Sequence, residues 1–168
     1  IVNAMPERFP KLKMLWVEGG LAWIPYLMQR LDHEFLMRQN EAPGLRKLPS
    51  DYMKEMYFSS QPMEQVHPTA LKVTMDMMNA ETQLVYASDW PHWDFNPPHT
   101  ITKLAFLSDQ AKKNILGLNA ARLFNLPIKR VRPRPDDVLA KRKADLINAP
   151  ASRETWDGQA GAESSREA

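Results

Sequence analysis

The residues best suited to chemistry follow a short apolar run, Leu84–Ser88. They are Asp89, Trp90, His92 and Trp93. An apolar, β-forming run that ends this abruptly is typical of a buried parallel strand. In α/β proteins, functional residues gather at the carboxyl ends of such strands. Asp89 is therefore the first candidate for a site residue, and the alternative is that its carboxylate only caps the following turn.

Strand and helix patterns alternate through the first 128 residues. The predicted strands are Lys13–Glu18, Met56–Ser59 and Leu84–Ser88. Helical patterns follow each of them, and a β-α-β-α-β-α order predicts parallel strands joined by right-handed crossovers. Glu18, Ser59/Ser60 and Asp89 are then expected side by side at one edge of the sheet. Three strands alone leave two open edges, which predicts part of a larger α/β structure.

The composition excludes several classes of protein. The chain has 168 residues, of which 43% are hydrophobic, enough for one globular domain of ordinary size. It has no cysteine, which excludes a disulfide framework, cysteine-ligated zinc and thiol catalysis. No apolar run approaches the roughly 18 residues of a membrane span, and the amino terminus lacks the pattern of a signal peptide. We therefore expect a soluble, cytoplasmic protein with no membrane partner.

Charge divides the chain into two parts. Residues 1–128 carry 13 basic and 13 acidic side chains, whereas residues 129–143 carry seven basic and two acidic ones. Residues 144–168 are rich in Ala, Ser, Gly and Glu, with too little apolar surface to offset the entropy of ordering. We predict a folded domain over 1–128 and a disordered tail over 129–168. The basic stretch has no interleaved aromatics, so we expect no nucleic-acid binding; contact with an anionic surface is the alternative.

Several phrases in the first part of the chain together resemble one family. They are Glu7–Lys13, Val17–Gly20, Trp23–Leu27, Arg30–Asp32, Tyr57–Pro62, Ala87–Asp94 and Asn114–Phe124. In this order and at these spacings they resemble the amidohydrolase-related family, in the branch with aminocarboxymuconate-semialdehyde decarboxylase and the resorcylate-type decarboxylases. The resemblance spans about residues 4–126 and leaves the tail outside.

The resemblance implies the carboxyl-terminal portion of a (β/α)8 barrel of the TIM type, with the three predicted strands as the sixth to eighth. It implies a divalent metal, commonly zinc, and a hydrolase or decarboxylase (carboxy-lyase) of a small carboxylated compound, which could be aromatic. Asp89 matches the eighth-strand aspartate, which binds the metal or handles the proton of the activated water. Glu18 matches the end of the sixth strand, where many members carry a catalytic histidine. A carboxylate there can still transfer a proton or bind metal, without the near-neutral pKa of an imidazole.

The loop after Asp89 supplies the remaining candidates. His92 is expected to lie near the substrate or the metal. Trp90 and Trp93 are expected to line a pocket for an aromatic substrate, with ordinary packing as the alternative. The family's first-strand His-x-His pair and fifth-strand histidine, which would hold most of the metal, would lie before Ile1.

We expect the chain alone to be inactive, because one rim aspartate cannot position metal, water and substrate together. A partner is then expected, either the missing barrel half or another copy of the chain. The alternative function is a non-catalytic interaction protein that uses its basic tail.

The turn at Gly19–Gly20 is a further candidate. It leads into a predicted helix, Leu21–Arg38, whose first amides could hold an anionic group such as a substrate carboxylate. The alternative is an ordinary tight turn between a strand and a helix.

Overall fold

The computed structural model describes residues 1–128, and the predictions for residues 129–168 lie outside this part of the chain. The described residues form one parallel sheet of three strands: β1 (Leu15–Trp16), β2 (Tyr57–Ser59) and β3 (Leu84–Val85), in that order. The predicted parallel, sequential order is therefore confirmed. The strands are shorter than predicted, because only a few residues of each lie in register with a neighbour before the chain turns into a loop.

Eight α-helices connect and flank these strands within residues 1–128. They are α1 (Met5–Arg8), α2 (Trp23–Met37), α3 (Pro49–Met53), α4 (Pro68–Met77), α5 (Ala80–Gln83), α6 (His99–Thr102), α7 (Asp109–Lys113) and α8 (Asn119–Leu123). A 3-10 turn covers Gln39–Glu41, and a π segment, Asn114–Leu118, joins α7 to α8. In this part of the chain, no helix has the length and apolar character needed to cross a membrane.

The hydrophobic core lies between the sheet and the helices. Its fully buried members include Leu21, Ile24, Met28, Phe58, Met78, Leu84, Ile101 and Ile115. Trp23 of α2 packs edge to face on Phe58 of β2 and on Trp16 of β1, with ring centroids 6.1 Å and 6.0 Å apart. These aromatic contacts hold α2 against the strands whose ends carry the candidate site.

The outer edge of β3 is covered by the α7–π–α8 segment. The amide of Tyr86 donates to the carbonyl of Ile115 at 3.0 Å, and Nδ2 of Asn119 donates to the carbonyl of Leu84 at 2.8 Å. The expectation of two open edges is therefore wrong at β3, because the helical segment bonds two of the outward polar groups along that edge. At the β1 edge, the side chains of Trp16 and Val17 are exposed.

Candidate active site

The chain leaves β1 and β3 through two acidic residues that share an unusual backbone conformation. Glu18 has a φ of 55° and Asp89 has a φ of 59°, both in the left-handed region. Residues other than glycine adopt this region rarely, and such positions are common at functional sites. Both residues follow the carboxyl ends of their strands, where α/β proteins place their sites.

The end of β2 joins these two positions. Oγ of Ser59 accepts a hydrogen bond from the amide of Glu18 at 3.1 Å. Oγ of Ser60 accepts one from the amide of Ala87 at 3.1 Å, and both serines are buried. These bonds bring the three strand ends to a common edge, as the sequence predicts.

The loop that follows β3, here called the rim loop (residues 88–96), is closed on itself and tied to β2. The amide of Asn96 donates to the carbonyl of Ser88 at 2.8 Å and closes the loop. The buried Gln61, just beyond β2, donates from Nε2 to the carbonyl of Asp94 at 3.0 Å. The side chains of the rim loop are therefore presented in a defined arrangement beside the neighbouring strand.

Three polar side chains of the rim loop form a cluster: Asp89, His92 and Asp94. Nδ1 of His92 lies 2.6 Å from Oδ1 of Asp94 and 3.5 Å from Oδ2 of Asp89. The hydrogen bond to Asp94 raises the pKa of His92, and the charges of Asp89, Asp94 and Glu18 act in the same direction. The same hydrogen bond lowers the pKa of Asp94. At neutral pH the cluster therefore holds Asp94 ionised.

The cluster has the donor types that a divalent transition metal requires. One atom from each residue can be chosen so that all three lie within 4.8 Å of one another. Carboxylate oxygens and an imidazole nitrogen suit Mn²⁺ and Zn²⁺. Of the residues singled out from the sequence, the structure brings Asp89 and His92 into contact, and it ties the backbone of Glu18 to Ser59 at the same edge of the sheet. Asp94 was not predicted from the sequence; its Asp-x-x-His-x-Asp spacing marks it as a neighbour of His92 in the loop, but only the folded loop shows that the two side chains pair.

Both tryptophans of the rim loop are on the surface beside this cluster. Trp90 is 70% exposed and Trp93 is 87% exposed, so neither is a core residue. Trp90 contacts Phe95 edge to face, with ring centroids 4.9 Å apart, and the Trp93 ring lies 6.2 Å from that of His92. Packing against other residues covers only a small part of either ring, contrary to the alternative that they serve ordinary packing. Both rings are therefore accessible to a flat ligand.

The amino terminus of α2 already has an anionic partner. Oε2 of Glu64 accepts hydrogen bonds from the amides of Leu21 at 2.9 Å and Ala22 at 3.3 Å. Gly20 has a φ of 69°, and a Cβ there would lie 2.5 Å from Oε1 of Glu64. The glycine turn thus makes room for an internal carboxylate, which is favourable at a helix amino terminus. An external substrate carboxylate is not needed to satisfy these amides.

Comparison with known proteins identifies the family of this chain. Residues 1–126 match the amidohydrolase family. The structure is similar to 5-carboxyvanillate decarboxylase LigW from Sphingomonas paucimobilis, at 25% identity and a TM-score of 0.58, over 75% of this chain and 37% of that one. It is also similar to dihydroxybenzoic acid decarboxylase from Polaromonas sp. JS666, solved with bound manganese and the inhibitor 2-nitroresorcinol. That match has 24% identity and a TM-score of 0.57, over 76% of this chain and 38% of that one.

A third similar structure is 2,6-dihydroxybenzoate decarboxylase complexed with 2,6-dihydroxybenzoate, at 20% identity and a TM-score of 0.57, over 74% of this chain and 38% of that one. The chain thus spans less than two fifths of the length of these proteins. Their similarity extends to the parallel sheet and the helices described here. Because the family match covers three quarters of the sequence, from residue 1 to residue 126, this chain belongs to the amidohydrolase family, as its motifs predict.

Proposed function

We propose that this chain supplies the sixth, seventh and eighth strands of a metal-dependent barrel enzyme that decarboxylates a small aromatic carboxylate. The observation that carries the proposal is that Glu18 and Asp89 follow the carboxyl ends of strands in one parallel sheet, with His92 in contact with Asp89. Barrel enzymes have their active sites at this end. The substrate class is supported by the solved neighbours, which are decarboxylases of carboxyvanillate and dihydroxybenzoates.

In this proposal, Asp89 binds the divalent metal and Glu18 transfers the proton. Decarboxylation adds a proton to the ring carbon and breaks its bond to the carboxyl carbon, so that the electron pair returns to the ring and CO₂ leaves. The metal, when bound, would polarise the substrate and offset negative charge. Glu18 suits proton transfer because its backbone is anchored by Ser59 at the neighbouring strand end. Hydrolysis of a related compound is the alternative, with Asp89 taking a proton from the attacking water.

The aromatic side chains of the rim loop fit the same substrate class. Trp90 and Trp93 expose their rings beside Asp89, where they can contact the face of an aromatic ring. His92 lies between them in sequence and is in contact with Asp89. We propose that these three residues contact the substrate.

The metal is proposed as manganese or zinc. Zinc is the metal that the family resemblance implies, and manganese is bound in one solved neighbour. We also propose that turnover requires the portion of the barrel that the neighbours have beyond the matched region, because the chain spans less than two fifths of their length. That portion would come from the same longer protein or from a partner.

The test is CO₂ release from 2,6-dihydroxybenzoate and 5-carboxyvanillate, with Mn²⁺ or Zn²⁺ supplied, by the protein at the full length that its gene encodes. We expect turnover that a chelator abolishes. Asp89→Asn is expected to lower it by about 100-fold or more, as for the loss of a group that acts in the transition state. Asp109→Asn, an exposed change in α7, is the matched control and is expected to leave turnover unchanged.

Two results would reject this proposal. The first is release of no CO₂ from any aromatic carboxylate. The second is unchanged turnover in Asp89→Asn. Cleavage of an ester or amide without CO₂ release would establish the hydrolytic alternative in place of decarboxylation.

A further inference from the structure

We infer that Gln61 is a positioning residue of the proposed site, which holds the rim loop, and with it Asp89 and the proposed substrate contacts, in place beside β2. The inference rests on the proposed function for the identity of the site and adds a residue from outside the rim loop. Gln61 lies just beyond the carboxyl end of β2 and is 3% exposed. Burying a carboxamide is costly unless its polar atoms are paired, so its partners indicate why this position is polar.

The side chain of Gln61 supports the middle of the rim loop. Its Nε2 donates to the carbonyl of Asp94 at 3.0 Å. In the described part of the chain, this is the one hydrogen bond that reaches residues 89–95 from outside the loop. The other hydrogen bonds of this stretch join residues of the loop to one another, such as the bond from the amide of His92 to the carbonyl of Asp89 at 2.7 Å. Removing Nε2 would therefore leave the middle of the loop with internal hydrogen bonds alone.

The main chain of Gln61 connects to the other acidic strand end. Its carbonyl accepts a hydrogen bond from Oγ of Ser59 at 3.1 Å, and the same Oγ accepts one from the amide of Glu18 at 3.1 Å. Ser59 is buried as well. Gln61 thus lies within one chain of hydrogen bonds that runs from Glu18, after β1, to Asp94, after β3. A buried chain of paired groups favours one arrangement of the strand ends over the alternatives.

A second glutamine of the same segment offers a comparison. Nε2 of Gln65 donates to Oδ1 of Asn96 at 3.2 Å, but this bond is exposed and reaches only the last residue of the rim loop. That end of the loop has two further hydrogen bonds, from the amide of Asn96 to the carbonyl of Ser88 at 2.8 Å and from Oη of Tyr86 to the carbonyl of Asn96 at 2.6 Å. An exposed bond competes with water and contributes little, so Gln65 is expected to be dispensable for the position of the loop.

The first test is amide hydrogen exchange of the 168-residue chain, followed by NMR. Gln61→Met removes the Nε2 donor and keeps an unbranched side chain of similar length. It is expected to lower the protection of the His92 amide by about 10-fold or more, as for the loss of one hydrogen bond of ordinary strength. Protection of the Tyr86 amide, which donates to the carbonyl of Ile115, is expected to stay within about 3-fold of the parent value. Gln65→Met is the matched control and is expected to leave both amides unchanged.

Two results of this experiment would overturn the inference. One is unchanged protection of the His92 amide in Gln61→Met. The other is an equal loss at Tyr86, which would mean that the variant destabilises the whole domain. If Gln61→Met does not fold, the parent chain itself supplies the test. A carboxamide proton of Gln61 is expected to exchange more slowly than those of Gln65 by a factor of about 10 or more, and equal exchange would overturn the inference.

The second test is steady-state kinetics of the protein at the full length that its gene encodes, with 2,6-dihydroxybenzoate and Mn²⁺. Gln61→Met is expected to raise the KM by about 10-fold, because the rim loop carries three of the proposed substrate contacts. A purely structural role would reduce the amount of folded enzyme and so lower kcat with an unchanged KM, a result that would overturn the inference. Gln65→Met is again the control, with both constants expected to equal those of the parent.

The two tests separate this inference from the proposed function. If no aromatic carboxylate releases CO₂, the proposed function alone is rejected, and the exchange measurements still decide whether Gln61 positions the loop. Decarboxylation with unaltered exchange and unaltered KM in Gln61→Met would reject this inference alone.

Discussion

Replacing Asn119 by alanine is expected to destabilise the folded domain by about 2 kcal/mol. The side chain of Asn119 is fully buried, and its Nδ2 donates to the carbonyls of Leu84 at 2.8 Å and Glu81 at 3.1 Å. Leu84 is also fully buried, so its carbonyl would lose a partner that water cannot readily replace. Orphaning such a group costs roughly 1–3 kcal/mol. Glu81 is exposed, so its carbonyl can bind water and adds little to the loss.

The assay is urea unfolding of Asn119→Ala and the parent chain, followed by far-ultraviolet circular dichroism and extrapolated to zero denaturant. Gln110→Ala is the matched control, because Nε2 of Gln110 donates to Oδ1 of Asn114 at 2.8 Å on the exposed face of the same helical segment. An exposed substitution of this kind is expected to change the free energy of unfolding by less than about 0.5 kcal/mol.

Two results would refute the reasoning about the β3 edge. One is a loss below about 0.5 kcal/mol in Asn119→Ala with an unchanged denaturant slope, which would mean that water reaches the Leu84 carbonyl. The other is an equal loss in Gln110→Ala, which would attribute the effect to helix formation in this segment rather than to a buried hydrogen bond.

Two further predictions concern the strand ends. Gly20→Ala is expected to lower the free energy of unfolding by about 1–3 kcal/mol. Alanine is strained at a φ of 69°, and its Cβ would displace the Glu64 carboxylate from the amino terminus of α2. A urea midpoint equal to that of the parent chain would contradict this prediction. The pKa of His92, measured by NMR without metal, is expected above the ordinary 6.5 and nearer to 6.5 in Asp94→Asn. The pairing stabilises the fold below the unfolded-state pKa and is lost as pH rises through the raised folded-state pKa; equal pKa values in both proteins would refute it.

The local sequence was sufficient for the order of the elements and for part of the site. The strand and helix patterns around β1, β2 and β3 are local features of the sequence. Because they alternate along the chain, the parallel arrangement of the strands could be predicted without coordinates. Asp89 and His92 were likewise recognisable, because both follow a strand within one short loop. The predicted bounds of the strands were less accurate. A strand ends where its hydrogen bonds to the neighbouring strand end, and the sequence of one strand alone does not specify that position.

Two features that only the tertiary structure reveals involve residues that are far apart in the chain. Glu64 reaches the amides of α2 across 43 positions, and Asn119 closes the edge of β3 across 35. Neither residue has a distinctive local pattern. From the sequence, an external anion was therefore a candidate ligand at the glycine turn, and the β3 edge was expected to be open. The pairing of Asp94 with His92 needed the folded loop, since adjacency in sequence does not fix which side chains face one another. Local periodicity determines which elements form, and long-range hydrogen bonds determine which of their polar groups are left for a ligand.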